Sequence, residues 1–227
     1  MENPTRYAIY FVPDPESDLY RFGASVLGYD CYSGNDLPHL PGAAPDWPDK
    51  VRTPRMYGFH ATLKPPFRLE DSAALSDLHN EFEAFAASQR AIDVGALAVR
   101  EIGSFIALVP ADPDPNLDRL AADCVRRFDR FRAPLTDEER ARRVADPLTD
   151  RQRAHVERWG YPYVFEDFRF HMTLSGSLPT AERPAILRWL KEQFAGSPSQ
   201  TSLVDRLALV EQATGPFRVI RASSLKR

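Results

Sequence analysis

The sequence predicts an α+β fold built from one unit used twice, and three observations carry that prediction. A strand, a helix and two further strands follow one another in that order in each half of the 227-residue chain. The string FHATL at 59–63 matches FHMTL at 170–174, and the turn segment GSFIALV at 103–109 matches GPFRVIR at 215–221. The spacing agrees too, since His60 precedes Gly103 by 43 residues and His171 precedes Gly215 by 44. Two elements that recur in order at one separation mark duplication of a supersecondary unit. A chain of this length can bury its core as one large domain or two small lobes. The repeat favours a single bilobal domain over 1–227. Its first repeat lies at about 55–130, an Arg-rich helical insert at about 126–165, and the second repeat at about 166–227.

Tyr7 to Val12 is a short aromatic and β-branched run ended by Pro13, and it reads as a strand buried on both faces. Ser17 caps a helix that carries Leu19, Phe22 and Val26 on one side and ends near Gly28. The stretch Tyr29 to Tyr57 holds Pro38, Pro41, Pro45, Pro48 and Pro54, which predicts a long surface loop of the kind that serves as a lid or binding segment. Phe59 to Lys64 reads as a strand stopped by Pro65 and Pro66. Asp71 starts a helix with Leu75, Leu78, Phe82 and Phe85 on one face, and Ala91–Arg100 and Ser104–Val109 form two strands about a turn at Gly103. Asp114 and Pro115 make an N-cap and first turn. The stripe Leu117, Leu120, Ala121, Cys124, Val125 and Phe128 then marks an amphipathic helix in which Cys124 is a small core residue.

From Arg126 to Arg158 arginines alternate with acids such as Asp137, Glu138, Glu139 and Asp150 in short helices. The plain reading is a salt-bridged, solvated face, and the sharper one is that a few of these arginines reach an anionic ligand. After Phe168 the first pattern returns. Phe170–Leu174 reads as a strand, Ile186, Leu187, Leu190 and Phe194 lie on a helix, and Leu203–Glu211 and Phe217–Ala222 form two more strands.

Composition narrows the function classes. With 43% hydrophobic and 27% charged residues the chain is of ordinary globular make-up. Lys and Arg number 29 against 32 Asp and Glu, a formal charge of -3, so no overall positive field exists to hold long nucleic acid by counterion release. Cys31 and Cys124 form no CxxC pair, which argues against a zinc site or a disulfide scaffold and fits a reducing cytoplasm. The start MENPTRYAIYFVP lacks the pattern of a secretory signal, no run approaches the ~18 apolar residues of a membrane span, and neither export nor a membrane partner is expected. No HExxH, GxxxxGK[ST] or GxGxxG occurs, so neither a metal nor a cofactor is expected.

Side chains alternate along a strand. His60, Thr62 and Lys64 therefore share one face and Phe59, Ala61 and Leu63 the other; in the second copy Arg169, His171, Thr173 and Ser175 lie opposite Phe168, Phe170, Met172 and Leu174. Two lobes related by a pseudo-twofold bring the two His and Thr pairs face to face across a groove. The chemistry that suits such a groove is metal-free phosphoester transfer. One histidine takes a proton from the attacking oxygen and the other gives one to the leaving oxygen. Thr62 and Thr173 donate to phosphate oxygens, while Lys64 or Arg169 offsets developing charge. Tyr57 and Arg55, just before the first motif, are candidates to line the cleft. His39, His79 and His155 have no partner at ligand spacing and read as surface residues, and SGS at 175–177 reads as a turn.

The motifs His60-Ala61-Thr62-Leu63 and His171-Met172-Thr173-Leu174 resemble those of the 2H phosphoesterase superfamily. The wider strings RMYGFHATLKPPF (55–67), FRAPLTDEE (131–139) and ERWGYPYVFEDFRFHMTLSG (157–176) are similar to one branch encoded beside phosphonate-utilisation genes. The resemblance implies a duplicated α+β fold, with two mainly antiparallel sheets flanking a central cleft and helices outside. It implies His60 and His171 as the acid/base pair and Thr62 and Thr173 as phosphate ligands. A small phosphorylated metabolite or cyclic phosphate is the partner it implies. An RNA-end-processing or 2'-5' ligase-like enzyme and a non-catalytic sensor of phosphorylated metabolites are the competing readings. Which histidine is the base, the direction of reaction, the oligomeric state and the identity of any lid are left open by the residues alone.

Overall fold

The computed structural model of the chain describes residues 4–144, 147–197 and 200–227, so positions 145 and 146 of the insert lie outside the described residues. Eight strands form one curled sheet in the order β6-β3-β4-β5-β2-β1-β7-β8. They are β1 (Arg6–Phe11), β2 (Ala61–Arg68), β3 (Ile92–Ile102), β4 (Phe105–Pro110), β5 (Met172–Thr173), β6 (Thr201–Val204), β7 (Arg206–Gln212) and β8 (Arg218–Ser224). Every strand pair is antiparallel. Two four-stranded halves, β6-β3-β4-β5 and β2-β1-β7-β8, meet at a single residue pair, Ala61 with Met172. Among the described residues the α-helices are α1 (Asp18–Leu27), α2 (Trp47–Arg55), α3 (Leu75–Ala86), α4 (Pro115–Phe128), α5 (Asp137–Arg143), α6 (Asp150–Trp159) and α7 (Arg183–Ala195). Among the described residues no helix is long and apolar enough to cross a membrane.

Strands and helices follow in the orders β2-α3-β3-β4 and β5-α7-β6-β7-β8, and each half of the sheet draws on both stretches. Helix α3 of the first repeat packs on β7 and β8 of the second, and α7 of the second packs on β3 and β4 of the first. The two sequence units therefore exchange hairpins. The turn glycines that align in the repeats, Gly103 (φ 57°) and Gly215 (φ 68°), both take the left-handed conformation that tight strand reversal needs.

The run expected as one strand over Leu203–Glu211 is two. β6 pairs with β3 at one edge, and after Asp205 alone the chain enters β7 beside β1 in the other half. Such a short crossing requires the sheet to curl. The chain end closes the curl further, with Ala91 N–H donating to Lys226 O at 2.7 Å.

Helix starts and stops follow local chemistry. Ser17 accepts from Tyr20 N and Gly28 ends α1; Asp114 accepts from Asn116 N, with Pro115 in the first turn of α4. All six residues of the α4 stripe are buried. Helix α3 begins at Leu75, later than Asp71, and the second motif keeps only Met172–Thr173 as strand.

Two expectations about proline are overturned. The stretch before Tyr57 contains helix α2, with Pro48 in its first turn and Pro54 in its last. Pro54 has no N–H for the Lys50 carbonyl, and that carbonyl instead accepts from Gly176 N–H at 2.7 Å. Strand β2 runs through Pro65 and Pro66 because they fall where its register on β1 shifts, between the pairs Ile9–Lys64 and Tyr7–Phe67.

Helix α1 is seated on the first motif. Phe59 is fully buried, and a Cβ added at Gly23 would come within 2.2 Å of its ring. Gly23→Ala should therefore destabilise the fold by about 1 to 3 kcal/mol despite alanine's better helix propensity. Urea denaturation is the check, and unchanged or raised stability would show that helix and strand separate freely.

Candidate active site

Continuing the antiparallel register from Ala61–Met172 sets His60 across from Thr173 and Thr62 across from His171. Ala61 and Met172 are fully buried. The two histidines and two threonines consequently share the opposite face and are half-buried.

Each ring is held alike. His60 Nδ1 lies 2.9 Å from the Gly58 carbonyl and His171 Nδ1 lies 2.7 Å from the Arg169 carbonyl, in both cases two residues back. A carbonyl only accepts, so Nδ1 carries the proton and Nε2 is left with its lone pair. The Thr62 hydroxyl then donates to His60 Nε2 at 3.0 Å. Gly58 presents its carbonyl from φ 73°, and a Cβ there would meet Cys31 Cβ at 2.6 Å, so both conformation and space call for glycine. Tyr10 stacks on His60 with ring centroids 3.8 Å apart, and Phe105 stands 5.6 Å from His171.

Burial pushes the His60 imidazole down to about 4, against the opposing pull of the Gly58 carbonyl, and the nearby His171 adds to the depression. Burial also lowers His171, opposed by the Arg169 carbonyl. Both rings are therefore neutral at pH 7 in the free protein. An anion bound between them would favour the protonated form of one, which yields a base and an acid from two like groups.

Of the other candidates, Tyr57 stacks on Phe217 at 5.5 Å and stands 6.3 Å from His60, beside the site. Lys64 is elsewhere. Strand β2 carries one extra residue, Leu63, between the pairs Tyr10–Thr62 and Ile9–Lys64, and this bulge turns Lys64 to the helix side. There it is fully buried, 2.9 Å from Asp129 beyond the end of α4, and burial lowers its pKa to about 8. Arg55 is also corrected: it donates to Gly28 O and Asp36 and lies over the Tyr29 ring, holding the chain before α2. Arg169 contributes its carbonyl while its side chain is exposed. Ser175 is fully buried and its hydroxyl accepts from Ile106 N–H at 3.0 Å, so it serves the β4–β5 junction.

The remaining histidines are half-buried and not on the surface as expected, with His155 3.6 Å from Asp167 and His39 3.2 Å from Val26 O. Cys31 and Cys124 are free and buried. Tyr10 and Phe105 escaped sequence reasoning, because an aromatic residue in a strand reads as core; Tyr10's place in the strand beside the first motif was the one available signal.

Fold and site together define an α+β protein with paired His-x-Thr strands on one sheet face. The chain belongs to the family described as "Protein of unknown function (DUF1045)", which matches residues 62–218. It is 38% identical over 218 residues to a ribose 1,5-bisphosphate phosphokinase PhnN of Janthinobacterium sp. (strain Marseille), covering 93% of this chain and 48% of that protein. It is 32% identical over 219 residues to the PhnN of Laribacter hongkongensis (strain HLHK9), covering 95% and 51%. The chain thus spans about half the length of these curated relatives. Among solved structures it is similar to E. coli LigT complexed with 3'-AMP, with a TM-score of 0.48 and 12% identity over 99% of this chain and 100% of that one. A phosphoesterase structure gives 0.45 and 12%, again over 99% and 100%.

The depressed His60 pKa has a consequence for stability. Between about 4 and the ordinary 6.5 the unfolded chain binds this proton and the folded one does not, so stability present above pH 6.5 is lost as pH falls toward 4. Denaturant titrations should show a fall on the order of 2 to 3 kcal/mol across that window, with a shallower slope for His60→Gln. Equal slopes would show that the ring is solvated and titrates normally.

Proposed function

We propose that this chain is a phosphoesterase that opens a small ribose or nucleotide cyclic phosphate by a metal-independent, two-histidine mechanism. The observation that carries the reading is the repeated anchoring of Nδ1 on a backbone carbonyl, which leaves an Nε2 from each motif strand on the same face. In hydrolysis one Nε2 takes a proton from water as its oxygen bonds to phosphorus. The bond from phosphorus to one ring oxygen breaks, and the other, protonated Nε2 delivers a proton to that oxygen. One water is consumed and a phosphomonoester is left. Thr62 and Thr173 supply hydroxyl donors for the non-bridging oxygens, with Thr62 exchanging its bond to His60 for one to phosphate.

Two circumstances support a ribose phosphate as the substrate class. The relatives' name concerns a ribose bisphosphate, and the branch that the motifs resemble accompanies phosphonate use. We place the reaction in phosphonate metabolism in the cytoplasm. The phosphokinase step of those relatives is not assigned to this chain, which contains no GxxxxGK[ST].

The test is turnover, in EDTA, of a panel of nucleoside 2',3'-cyclic phosphates and cyclic ribose phosphates. His60→Ala and His171→Ala should each lose roughly 100- to 10,000-fold in kcat while keeping the wild-type circular dichroism. Wild-type rates in either variant would remove that histidine from the chemistry.

A further inference from the structure

Beside the histidines lies a second feature that the two-histidine mechanism does not use. A cavity of about 180 Å³ is lined by Arg6, Arg68, Arg132, Arg142 and Arg143 with a single carboxylate, Glu139. Arg68 is paired with Glu139 at 3.1 Å, and Arg132 with Asp129 at 2.8 Å. Arg6 and Arg143 have no carboxylate partner among the described residues, since Arg6 donates to Gln212 and Arg143 lies over the Tyr161 ring at 4.9 Å, while Arg142 forms no ion pair there but acts on the Glu139 carboxylate. Among the described residues, five guanidiniums therefore line the cavity against one carboxylate, and three of them form no ion pair. In the rest of the insert Arg126, Arg127, Arg130, Arg140, Arg151, Arg153 and Arg158 are all ion-paired.

The cavity adjoins the catalytic face at Tyr57. Tyr57 lines it and stands 6.3 Å from His60. Tyr10, stacked on His60, is fully buried, and its hydroxyl has no hydrogen-bond partner among the described residues. The groups that act on that hydroxyl are Tyr57, Arg6, Tyr161 and Arg143. A buried hydroxyl without a partner among the described residues, stacked on a catalytic ring and in the field of Arg6 and Arg143, is the arrangement of a donor reserved for a ligand.

We propose that this cavity binds a second phosphate group of the substrate, a monoester, so that the preferred substrate is a small cyclic phosphate carrying a separate terminal phosphate. The proposal rests on the phosphoesterase reading above. A monoester suits the charge: it carries about −1.5 to −2 near neutral pH, against −1 for a diester, and its oxygens match the planar fork of arginine. A nucleic-acid backbone offers only diesters, so the site discriminates against it.

The experiment compares kcat/KM for adenosine 2',3'-cyclic phosphate, its 5'-phosphorylated form, and the dinucleotide ApA ending in the same cyclic phosphate. The 5'-phosphorylated form should exceed the plain one by roughly 10- to 100-fold, and Arg142→Ala with Arg143→Ala should bring that ratio close to one. A wild-type ratio near one, or a preference for the dinucleotide, would overturn the proposal while leaving the two-histidine reading standing. Calorimetric titration with ribose 5-phosphate covers the converse case, in which none of the three substrates turns over. Binding by the wild type that is lost in the double arginine variant upholds the phosphate site even then, and equal binding or none overturns it.

Discussion

Ala61 and Met172 form the only residue pair by which β2 and β5 join, and the rest of the architecture depends on it. Each half of the sheet has its own hairpins and helices, but neither contains a complete site. The antiparallel register at this pair determines that each histidine faces the other motif's threonine. A slip of one residue would turn one motif to the helix side, because side-chain direction alternates with every position. The neighbouring strands hold that register from outside. β1 pairs along β2, and β4 brackets β5 at Ala107–Thr173 and Leu108–Met172, with the buried Ser175 hydroxyl taking the next amide.

Much of this was legible in the sequence where local chemistry decides structure. The caps Ser17 and Asp114, the apolar stripe of α4 and the hairpin turns at Gly103 and Gly215 stand where residue types alone put them, while the His-x-Thr segments are strand only from Ala61 and at Met172–Thr173. What escaped was decided by distant partners. Helix α2 tolerates Pro54 because Gly176, far along the chain, satisfies the Lys50 carbonyl. Lys64 left the predicted face because a bulge inserts Leu63, and strict alternation cannot anticipate an added residue. The exchange of hairpins between repeats is likewise invisible to a periodicity argument, which sees order along the chain and not which unit packs on which.

The insert shows how one composition serves two ends. Helix α5 buries no residue and α6 buries only Val156; Arg68 with Glu139 ties α5 to β2, and Arg151 with Asp167 ties α6 to the chain before β5. Arginines with carboxylate partners form that attachment. Arg142 and Arg143, which form no ion pair among the described residues, lie where the insert meets β1 and β2, beside the Tyr57 that stands near His60. Charge count alone, at -3 for the whole chain, conceals this local excess.

The central claim is that two neutral imidazoles, each held by Nδ1–H on a carbonyl, present their Nε2 atoms to one phosphate. Nitrogen-15 spectra of His60 and His171, recorded at pH 7 with and without vanadate, measure it directly. Both rings should be the Nδ1–H tautomer in the free protein, and one of them should become protonated at Nε2 when the anion binds. An Nε2–H tautomer at either ring, or no response to vanadate at both, would contradict it.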